Sequence, residues 1–485
     1  MKTFVIRLLR FFKNTVRITA FLIIVAFLLE IWVLWLRPKH YDGNLMMEAF
    51  YEQPRNSIDV LCVGSSHTFV DFNTALLWED YGIPSFVLGG SLQPFWNSYY
   101  YIKEACSYQT PKLIILEALA CNIEDEYSEH GIVVNNYSGM RWGMNKLEAI
   151  RASVSDTDGV IDHSLFFEEY HTRYTDLDIN DIDLEMGDEV KTRNWKGFYD
   201  YFLTLPLPRP ELEDDIDPVP ITNKQEYYYR MIIEYCEQEQ IPLMIMVSPD
   251  AGYNEVAKAR YMYAADIAEE YGVDFVDFNS YYNEIGLDFN TDFADIGHLN
   301  HEGNRKFTAY LGDYIDEQFD LPDRRAESTD LYDSWEQNAA YIDSRYDNYI
   351  LKTTEDLDEY IDRLNALPDD YEIYIRISDI TWIREQMSKF LGIYGIPFVR
   401  PYDEHLYVIR DGSTVVLDAD DNGLFTEREL GSHRFAANSS GFIFDGNDIV
   451  EPGRIGVIVV VLDTYNQCIA DSTVIVSDEV HSDAH

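Results

Sequence analysis

Short apolar runs alternating with helical stretches between residues 58 and 319 constrain the fold of this 485-residue chain more than any other feature. The runs are four to six residues long and mostly apolar, which is typical of parallel strands that are buried on both faces. Strands alternating with helices predict a doubly wound α/β domain with a parallel sheet. The predicted strands are Ile58–Val63, Pro84–Leu88, Leu113–Leu116, Pro242–Val247 and Val273–Phe278, and the predicted helices are Pro94–Cys106, Thr222–Glu239, Ala257–Tyr271 and Gly303–Phe319.

Four of these strands end at residues that could take part in chemistry or close a tight turn. Ser66, Gly89, Glu117 and Pro249 each follow a predicted strand within a few residues. Ligands and reactive groups of open α/β sheets gather beyond the carboxyl ends of the strands. The sequence therefore predicts a functional site at this edge of the sheet.

The rest of the chain divides around this α/β domain, which we place at residues 41–322. Residues 122–220 are polar and aromatic with acid-rich patches, which predicts a partly helical insertion over the active-site face. Residues 323–335 are charged and predict a linker, and residues 336–485 an α+β module with most strands late. Its predicted strands are Glu372–Ile377, His405–Ile409, Thr414–Leu417, Gly441–Phe444, Gly456–Leu462 and Ser472–Val476, and its helices are Thr354–Leu367 and Ile380–Leu391.

Residues 1–40 predict a membrane anchor. Met1–Arg17 carries five basic residues and no acid, and Ile18–Leu36 is apolar apart from Glu30, close to the roughly 20 residues that span a bilayer. Basic residues before the span favour a cytoplasmic N-terminus with the bulk of the chain outside the cell. A cleaved signal peptide is the alternative, but Trp32 and Trp35 are typical of an interfacial anchor. Glu30 is expected either to reach the interface or to contact a partner membrane protein.

The charge of the chain excludes one class of partner. Lys and Arg number 37 against 86 Asp and Glu, for a formal net charge of -49. Such a surface repels phosphate backbones, so a nucleic-acid partner is not expected. Asp418–Asn422 (DADDN) contains part of a calcium-loop pattern, but its ligand spacing is incomplete and an acidic turn is the favoured interpretation. No metal or cofactor site is predicted.

Asp295 and His298 form the strongest chemical pattern. A carboxylate three residues before a histidine can accept the imidazole N–H and hold the ring as a base. Ser66 follows a strand and precedes a helical stretch, which would expose its hydroxyl where backbone N–H groups can stabilise an oxyanion. A serine hydroxyl needs such a base to act as a nucleophile. Ser66, Asp295 and His298 are therefore the predicted catalytic triad.

These residues carry a resemblance to the SGNH/GDSL hydrolase superfamily. Gly64-Ser65-Ser66-His67 resembles its first block, and the Asp-x-x-His at Asp295–His298 resembles its final block. The surrounding Asp292–Gly303 is similar to the membrane-anchored bacterial branch that includes the D-alanyl-transfer protein of teichoic acid synthesis and the alginate O-acetylation proteins. The resemblance implies a flavodoxin-like sheet and an acyl-serine mechanism, with Ser66 rather than Ser65 as the nucleophile.

The resemblance also implies an oxyanion hole formed by Ser66, Gly89 and Asn122. Two departures from the family pattern stand out: Val87 occupies the place where the second block usually has Asn, and Asn122 lies farther from its strand than the usual Gly-x-Asn of the third block. The residues that we predict to contact substrate are His67, Gln93, Asn300, His171 and Arg173.

Together these features predict an extracytoplasmic O-acyltransferase or esterase that acts through an acyl-serine on a cell-surface polysaccharide, with acetyl as the expected acyl group. Transfer outside the cell needs an acyl donor, which a multi-spanning membrane-bound O-acyltransferase would supply. The alternative is a non-catalytic glycan-binding or assembly protein that uses a degenerate SGNH fold.

Overall fold

The chain forms two compact units, Met1–Ala340 and Tyr341–His485, in a computed structural model. Glu30, His171, Arg173 and most of the predicted helix Ile380–Leu391 lie outside the residues that the structure describes. The described residues are 13–25, 27–29, 31, 41–126, 130–154, 159–160, 163, 195–213, 215–327, 329–377, 391–396, 405–410, 413–431, 433–439, 441–450, 456–475 and 480–482.

The first unit is built on a five-stranded parallel sheet with the strand order β2-β1-β3-β4-β5. This is the flavodoxin-like order, and it agrees with the predicted doubly wound α/β fold. Every residue of the first four strands is buried, as expected of strands covered on both faces. The strands are β1 (Val60–Gly64), β2 (Ser85–Gly89), β3 (Leu113–Glu117), β4 (Leu243–Val247) and β5 (Asp274–Asp277).

Helices connect these strands, and several begin at a side chain that caps them. Asn73, Thr222, Asn254 and Asn300 each accept a hydrogen bond from a backbone N–H of the first helical turn, which satisfies a donor that the helix itself leaves unpaired. The helices of this unit are α1 (Met46–Glu52), α2 (Ser66–Asp71), α3 (Thr74–Tyr81), α4 (Phe95–Cys106), α5 (His130–Ser138), α6 (Met144–Ser153), α7 (Asn223–Glu239), α8 (Glu255–Tyr271), α9 (Tyr282–Ile285) and α10 (His301–Gln318). Helices α5 and α6 belong to the insertion predicted at 122–220.

Residues 323–327 and 329–335, within the predicted linker, belong to the first unit and contact its α/β domain. Arg324 donates two hydrogen bonds to the buried carboxylate of Asp59, at 2.6 and 3.0 Å. The ring of Trp335 is fully buried, and its Nε1–H donates to the carbonyl of Ser85 at 2.9 Å. Four of its charged side chains form ion pairs: Asp323, Arg324, Arg325 and Glu327. A charged sequence alone therefore does not distinguish a packed segment from a linker.

The second unit contains two antiparallel sheets and helices, as the predicted α+β module requires. The larger sheet has the order β15-β14-β13-β6-β7-β8 and the smaller one β12-β11-β10-β9. Side chains of β6 alternate between the two faces: Tyr374 packs against Phe435 of the smaller sheet, while Ile373 and Ile375 pack against α12. The elements are α11 (Asp333–Thr353, which begins in the first unit), α12 (Leu357–Ala366), β6 (Tyr371–Ile377), β7 (His405–Arg410), β8 (Ser413–Asp418), β9 (Leu424–Leu430), β10 (His433–Asn438), β11 (Phe442–Phe444), β12 (Asn447–Asp448), β13 (Val457–Asp463), β14 (Cys468–Ile475) and β15 (Val480–Ser482).

Near the N-terminus, residues 13–25 and 27–29 are helical. Apolar side chains of this segment, such as Phe21 and Ile24, are exposed. None of the helices within the described ranges has both the length and the apolar character needed to cross a membrane.

Candidate active site

Ser66 sits where β1 turns into α2. The strand ends at Gly64, and Ser65 caps the helix by accepting the His67 N–H at 3.2 Å. Ser66 is the first helical residue and remains partly exposed although its neighbours are buried. N–H groups of a first helical turn have no partner within the helix. The His67 and Thr68 N–H groups both donate to Ser65, so the turn presents the Ser66 hydroxyl and the Ser66 N–H at the same edge of the sheet.

The structure brings Ser66, His298 and Asp295 into one hydrogen-bonded chain. The Ser66 hydroxyl donates to Nε2 of His298 at 2.8 Å. On the other side of the ring, Nδ1–H of His298 donates to the Asp295 carboxylate, with both oxygens at 2.9 Å. This is the order of contacts by which a carboxylate fixes the histidine tautomer and the histidine takes a proton from the serine.

Asp295 is held in its ionised form. Partial burial raises the pKa of this carboxyl, but the hydrogen bond and charge of His298, together with the Gly297 N–H at 2.8 Å, outweigh burial and lower the pKa below its usual value. About half of the Asp295 side chain, 48 %, stays exposed. Asp295 is thus an ionised acceptor at the rim of the site.

The segment that carries Asp295 and His298 has no helix or strand of its own. It closes on itself through the Ala294 N–H, which donates to the His298 carbonyl at 2.9 Å. Asp71 accepts the Leu299 N–H at 2.9 Å from beneath. From the loop after β4, the Gly252 N–H donates to the Ile296 carbonyl at 2.8 Å. Contacts from two distant parts of the chain therefore hold the base in place.

Two aromatic side chains flank His298. The His67 ring lies 5.4 Å from the His298 ring, nearly edge-on, and the Tyr201 ring lies 5.8 Å away at 88°. Burial and the nearby charge of His298 lower the pKa of His67 to about 3, so its ring is neutral. His67 is only 5 % exposed. The ring of His67 packs beside the base, and its contact with substrate stays a prediction.

The strap formed by residues 198–207 holds Tyr201 against the base. The His301 N–H donates to the Tyr201 carbonyl at 2.7 Å, and the Leu205 N–H donates to the Phe293 carbonyl at 2.8 Å. Asp200 belongs to the strap, and its buried carboxylate accepts hydrogen bonds from Nδ1–H of His301 at 2.6 Å and from Asn304 at 2.9 Å. The strap is thus hydrogen-bonded to α10 and to the segment before His298.

The predicted oxyanion role of Gly89 is not supported. Its N–H donates to the sulfur of Met46 at 3.1 Å, while the next N–H, of Gly90, donates to the Gly64 carbonyl at 3.2 Å. Successive N–H groups of a strand point to opposite sides. Because β2 is the edge strand next to β1, the Gly89 N–H points outward to α1 and away from Ser66.

Two predicted substrate contacts are structural groups. Gln93 is fully buried and donates through Nε2 to Ser98 at 3.0 Å. Asn300 is 2 % exposed; it caps α10 and donates to the carbonyl of Thr291 at 2.7 Å and to two groups of the strap. The NH2 groups of both amides donate within the protein, whereas Oε1 of Gln93 is buried without a hydrogen-bond partner in the described part of the chain. Asn122 differs, because its Nδ2 is buried and has no hydrogen-bond partner within the described part of the chain.

Sequence reasoning missed three groups of the site: Asp71, Asp250 and Tyr201. Burial raises the pKa of Asp71 well above its ordinary value, and burial raises the pKa of Asp250 to about 6 although the charge of His298 opposes it. Asp250 follows β4 after Ser248-Pro249, so its place at a strand end was a usable signal. No local pattern marks Asp71 or Tyr201.

No cluster of His, Cys, Asp and Glu within the described ranges is arranged to hold a metal ion.

No protein-family model and no curated protein matches this chain. Among solved structures, it is similar to a protein from Bacteroides fragilis described as an acylhydrolase, with 11% identity over 56% of this chain and 94% of that chain and a TM-score of 0.28. It is also similar to a GDSL-like lipase from Bacteroides thetaiotaomicron, with 11% identity over 54% of this chain and 89% of that chain and a TM-score of 0.26. Similarity at this level supports no inference about activity, so the function has to be inferred from the site itself.

Proposed function

We propose that this protein is a serine esterase or O-acyltransferase of the SGNH type that works through an acyl-serine. The observation that carries the proposal is the hydrogen-bonded order Ser66–His298–Asp295 on a partly exposed turn at the carboxyl edge of a flavodoxin-like sheet. A serine that donates to a histidine oriented by a carboxylate is the arrangement that nucleophilic acyl transfer needs.

The first half of the reaction forms the acyl-enzyme. Ser66 Oγ attacks the acyl carbonyl carbon while Nε2 of His298 takes the hydroxyl proton. The oxyanion that develops is stabilised by the Ser66 N–H at the start of α2 and by Nδ2 of Asn122, the unpaired buried donor described above. The tetrahedral intermediate then collapses, the bond to the alcohol breaks, and His298 returns its proton to the leaving oxygen.

The second half transfers the acyl group. His298 takes a proton from the acceptor hydroxyl, whose oxygen attacks the acyl-serine carbonyl carbon. Collapse of this second intermediate breaks the bond to Ser66 Oγ, and the proton on His298 returns to the serine. Water as the acceptor gives an esterase, whereas a sugar hydroxyl gives an O-acyltransferase.

We further propose that the acceptor is a cell-surface polysaccharide and that the acyl group is acetyl. The basic Met1–Arg17 followed by the apolar Ile18–Leu36 supports an anchored protein that faces outward. Acyl-CoA is a cytoplasmic donor, so transfer outside the cell would draw on a multi-spanning membrane-bound O-acyltransferase as the partner.

Intact-protein mass spectrometry after addition of p-nitrophenyl acetate tests the proposal. The parent is expected to gain one acetyl group, and Ser66→Ala and His298→Ala are expected to gain none. Faster decay of the adduct with an oligosaccharide than with water alone would identify a transferase. A parent that forms no adduct and turns over no ester, with or without the membrane partner, while still binding surface polysaccharide, would identify a binding protein instead.

A further inference from the structure

Glu117, the last residue of β3, places a buried carboxylate directly beneath the turn that carries Ser66. The residue is 1 % exposed. Its Oε2 accepts both the Ser65 N–H at 3.1 Å and the Ser65 hydroxyl at 2.6 Å. Its Oε1 accepts the Leu119 N–H at 2.6 Å. One carboxylate thus joins the turn after β1 to the turn after β3.

Glu117 packs closely against Gly64, the last residue of β1. Strands β1 and β3 are adjacent and parallel, so their carboxyl-terminal turns lie side by side. A Cβ atom at Gly64 would lie 2.6 Å from Cβ and 3.0 Å from Oε2 of Glu117. Gly64 is therefore required for the close approach of the turn to the carboxylate.

We propose that Glu117 is a positioning residue for acyl transfer at Ser66. Its carboxylate fixes Ser65, the residue next to the nucleophile, relative to the short 3-10 helix Leu119–Asn122 that carries the oxyanion donor Asn122. Glu117 forms no bond to substrate and exchanges no proton with it; it sets the distance between nucleophile and oxyanion donor. This inference rests on the proposed function.

The ionised form of Glu117 is the one that can accept all three hydrogen bonds. A proton on either oxygen turns an acceptor into a donor and leaves an N–H or the Ser65 hydroxyl without its partner. Burial raises the pKa of Glu117 to about 7, although the hydrogen bonds from Ser65 and Leu119 oppose it. Glu117 is therefore protonated as pH falls below about 7, and the turn then loses part of its support.

Other titratable groups face Glu117 from each neighbouring element. Burial raises the pKa of the thiols and of the phenol, so these groups stay neutral around pH 7. Burial also raises the pKa of Asp71 well above its ordinary value, which favours its neutral form. Asp250, whose pKa burial raises to about 6, is the carboxyl whose charge adds to that of Glu117. The groups are Cys62 on β1, Asp71 on α2, Cys121 on the 3-10 helix, Asp250 after β4 and Tyr261 on α8.

The test is the pH dependence of kcat for p-nitrophenyl acetate in the parent and in Glu117→Gln. A displacement of the nucleophile by a fraction of an ångström lowers kcat by about 10- to 100-fold, and KM is expected to change little. The acid limb of the parent profile is expected to fall with one proton more than that of Glu117→Gln, because only the parent carries the Glu117 carboxyl.

Three variants serve as controls. Ser65→Ala removes one of the three hydrogen bonds to Glu117, together with the side-chain cap of α2 at the His67 N–H, and keeps the Ser65 backbone donor. A smaller loss of about 3- to 10-fold is expected. Asp59→Asn breaks a buried ion pair with Arg324 at the opposite end of β1 and is expected to lower thermal stability while leaving the kcat profile unchanged. Asp250→Asn removes the neighbouring carboxyl and is expected to keep the additional proton that Glu117 gives to the acid limb of the parent.

The outcomes separate this inference from the proposed function. A parent without turnover and without an acetyl adduct overturns both. The role of Glu117 alone is overturned if the parent depends on Ser66 while folded Glu117→Gln and Ser65→Ala keep the kcat and the acid limb of the parent. If Glu117→Gln fails to fold, the change of kcat in Ser65→Ala is the deciding measurement. An unchanged kcat in Ser65→Ala then overturns the positioning role of Glu117.

Discussion

Ser66 and His298 meet at a hydrogen bond of 2.8 Å, yet the segments that carry them are built differently. Ser66 follows a strand whose residues are all buried and begins a helix. His298 lies in an irregular segment held by side-chain and backbone bonds from Asp71, from the loop after β4 and from the strap at 198–207. The nucleophile is thus placed by regular structure and the base by contacts distant in sequence.

This difference predicts which substitutions affect the turn of Ser66 and which affect the segment of His298. The turn of Ser66 is defined by β1, β3 and the buried carboxylate of Glu117, so only buried substitutions should move it. The segment of His298 depends on single hydrogen bonds, each with a net contribution of about 0.5–1.5 kcal/mol. Single substitutions there should change kcat by small steps without unfolding the protein.

The largest expected effect comes from removing either reacting group. Ser66→Ala and His298→Ala should each lower kcat for an activated acetyl ester by about 10⁴- to 10⁶-fold, because serine and histidine act as one unit. Stopped-flow or plate-reader assays of ester cleavage measure this loss, with circular dichroism as the control for folding. The double variant should be no worse than either single one, and an additive loss would contradict a shared mechanism.

Asp295→Asn should have a smaller effect. The amide cannot replace the carboxylate as partner of Nδ1–H, and a buried carboxylate in this role contributes about 10⁴-fold. Because Asp295 is 48 % exposed, water can replace part of the interaction, and a loss of about 10²- to 10³-fold in kcat is expected. In the parent, His298 keeps the pKa of Asp295 below its usual value, so the orienting charge should persist until pH falls below about 4. A loss as large as that of His298→Ala would contradict this.

Tyr201 offers a milder way to disturb the base. Its ring packs edge-to-face on His298 at 5.8 Å, and such pairs contribute about 0.5–1.5 kcal/mol. Tyr201→Ala should therefore lower kcat by about 2- to 10-fold, whereas Tyr201→Phe, which keeps the ring, should retain the parent rate. If Tyr201→Phe loses as much as Tyr201→Ala, the hydroxyl rather than the ring packing is what matters.

Asp71→Asn should have the smallest effect on rate and a distinct effect on stability. The amide oxygen can still accept the Leu299 N–H, so kcat near pH 7 should hardly change. Burial raises the pKa of Asp71 well above its ordinary value, so the folded protein keeps a proton that the unfolded chain releases. The free energy of unfolding of the parent should then fall as pH rises above about 4.

Urea unfolding of both proteins across pH 3 to 7 measures the contribution of Asp71. The variant lacks this titration, so its free energy of unfolding should fall less steeply with pH than that of the parent. Equal slopes would show that the Asp71 carboxyl is ionised in the folded state, contrary to the expected direction of its pKa.

Much of the first unit could be predicted from local patterns. The five apolar runs correspond to β1–β5 with boundaries that differ by a few residues, because strands buried on both faces leave a continuous apolar signal. In the second unit, β9 and β10 were missed. In β9 the charged run Glu427–Glu429 separates the buried Phe425 from the buried Leu430, so no apolar run marks the strand.

In the candidate site too, local patterns in the sequence predicted some residues correctly and others not. The spacing of Asp295 and His298, and the position of Ser66 after a strand, were enough to predict which three residues would meet. Gly89, Gln93 and Asn300 were assigned to the site from their position in the chain, but their donors face other protein atoms. Sequence position indicates which edge of the sheet a residue occupies and does not indicate the direction of its N–H or side chain.

The sequence by itself determined the parallel sheet, the turn of Ser66 and the Asp-x-x-His pair, because apolar runs and short spacings act within a few residues. Only the tertiary structure decided what surrounds them: Glu117 beneath Ser65, Asp71 beneath Leu299, and Tyr201 beside His298. The hydrogen-bonded pairs Glu117–Ser65 and Asp71–Leu299 are 52 and 228 residues apart in the sequence. Such contacts form because neighbouring strands end at the same edge of the sheet and their turns must satisfy buried donors and acceptors there.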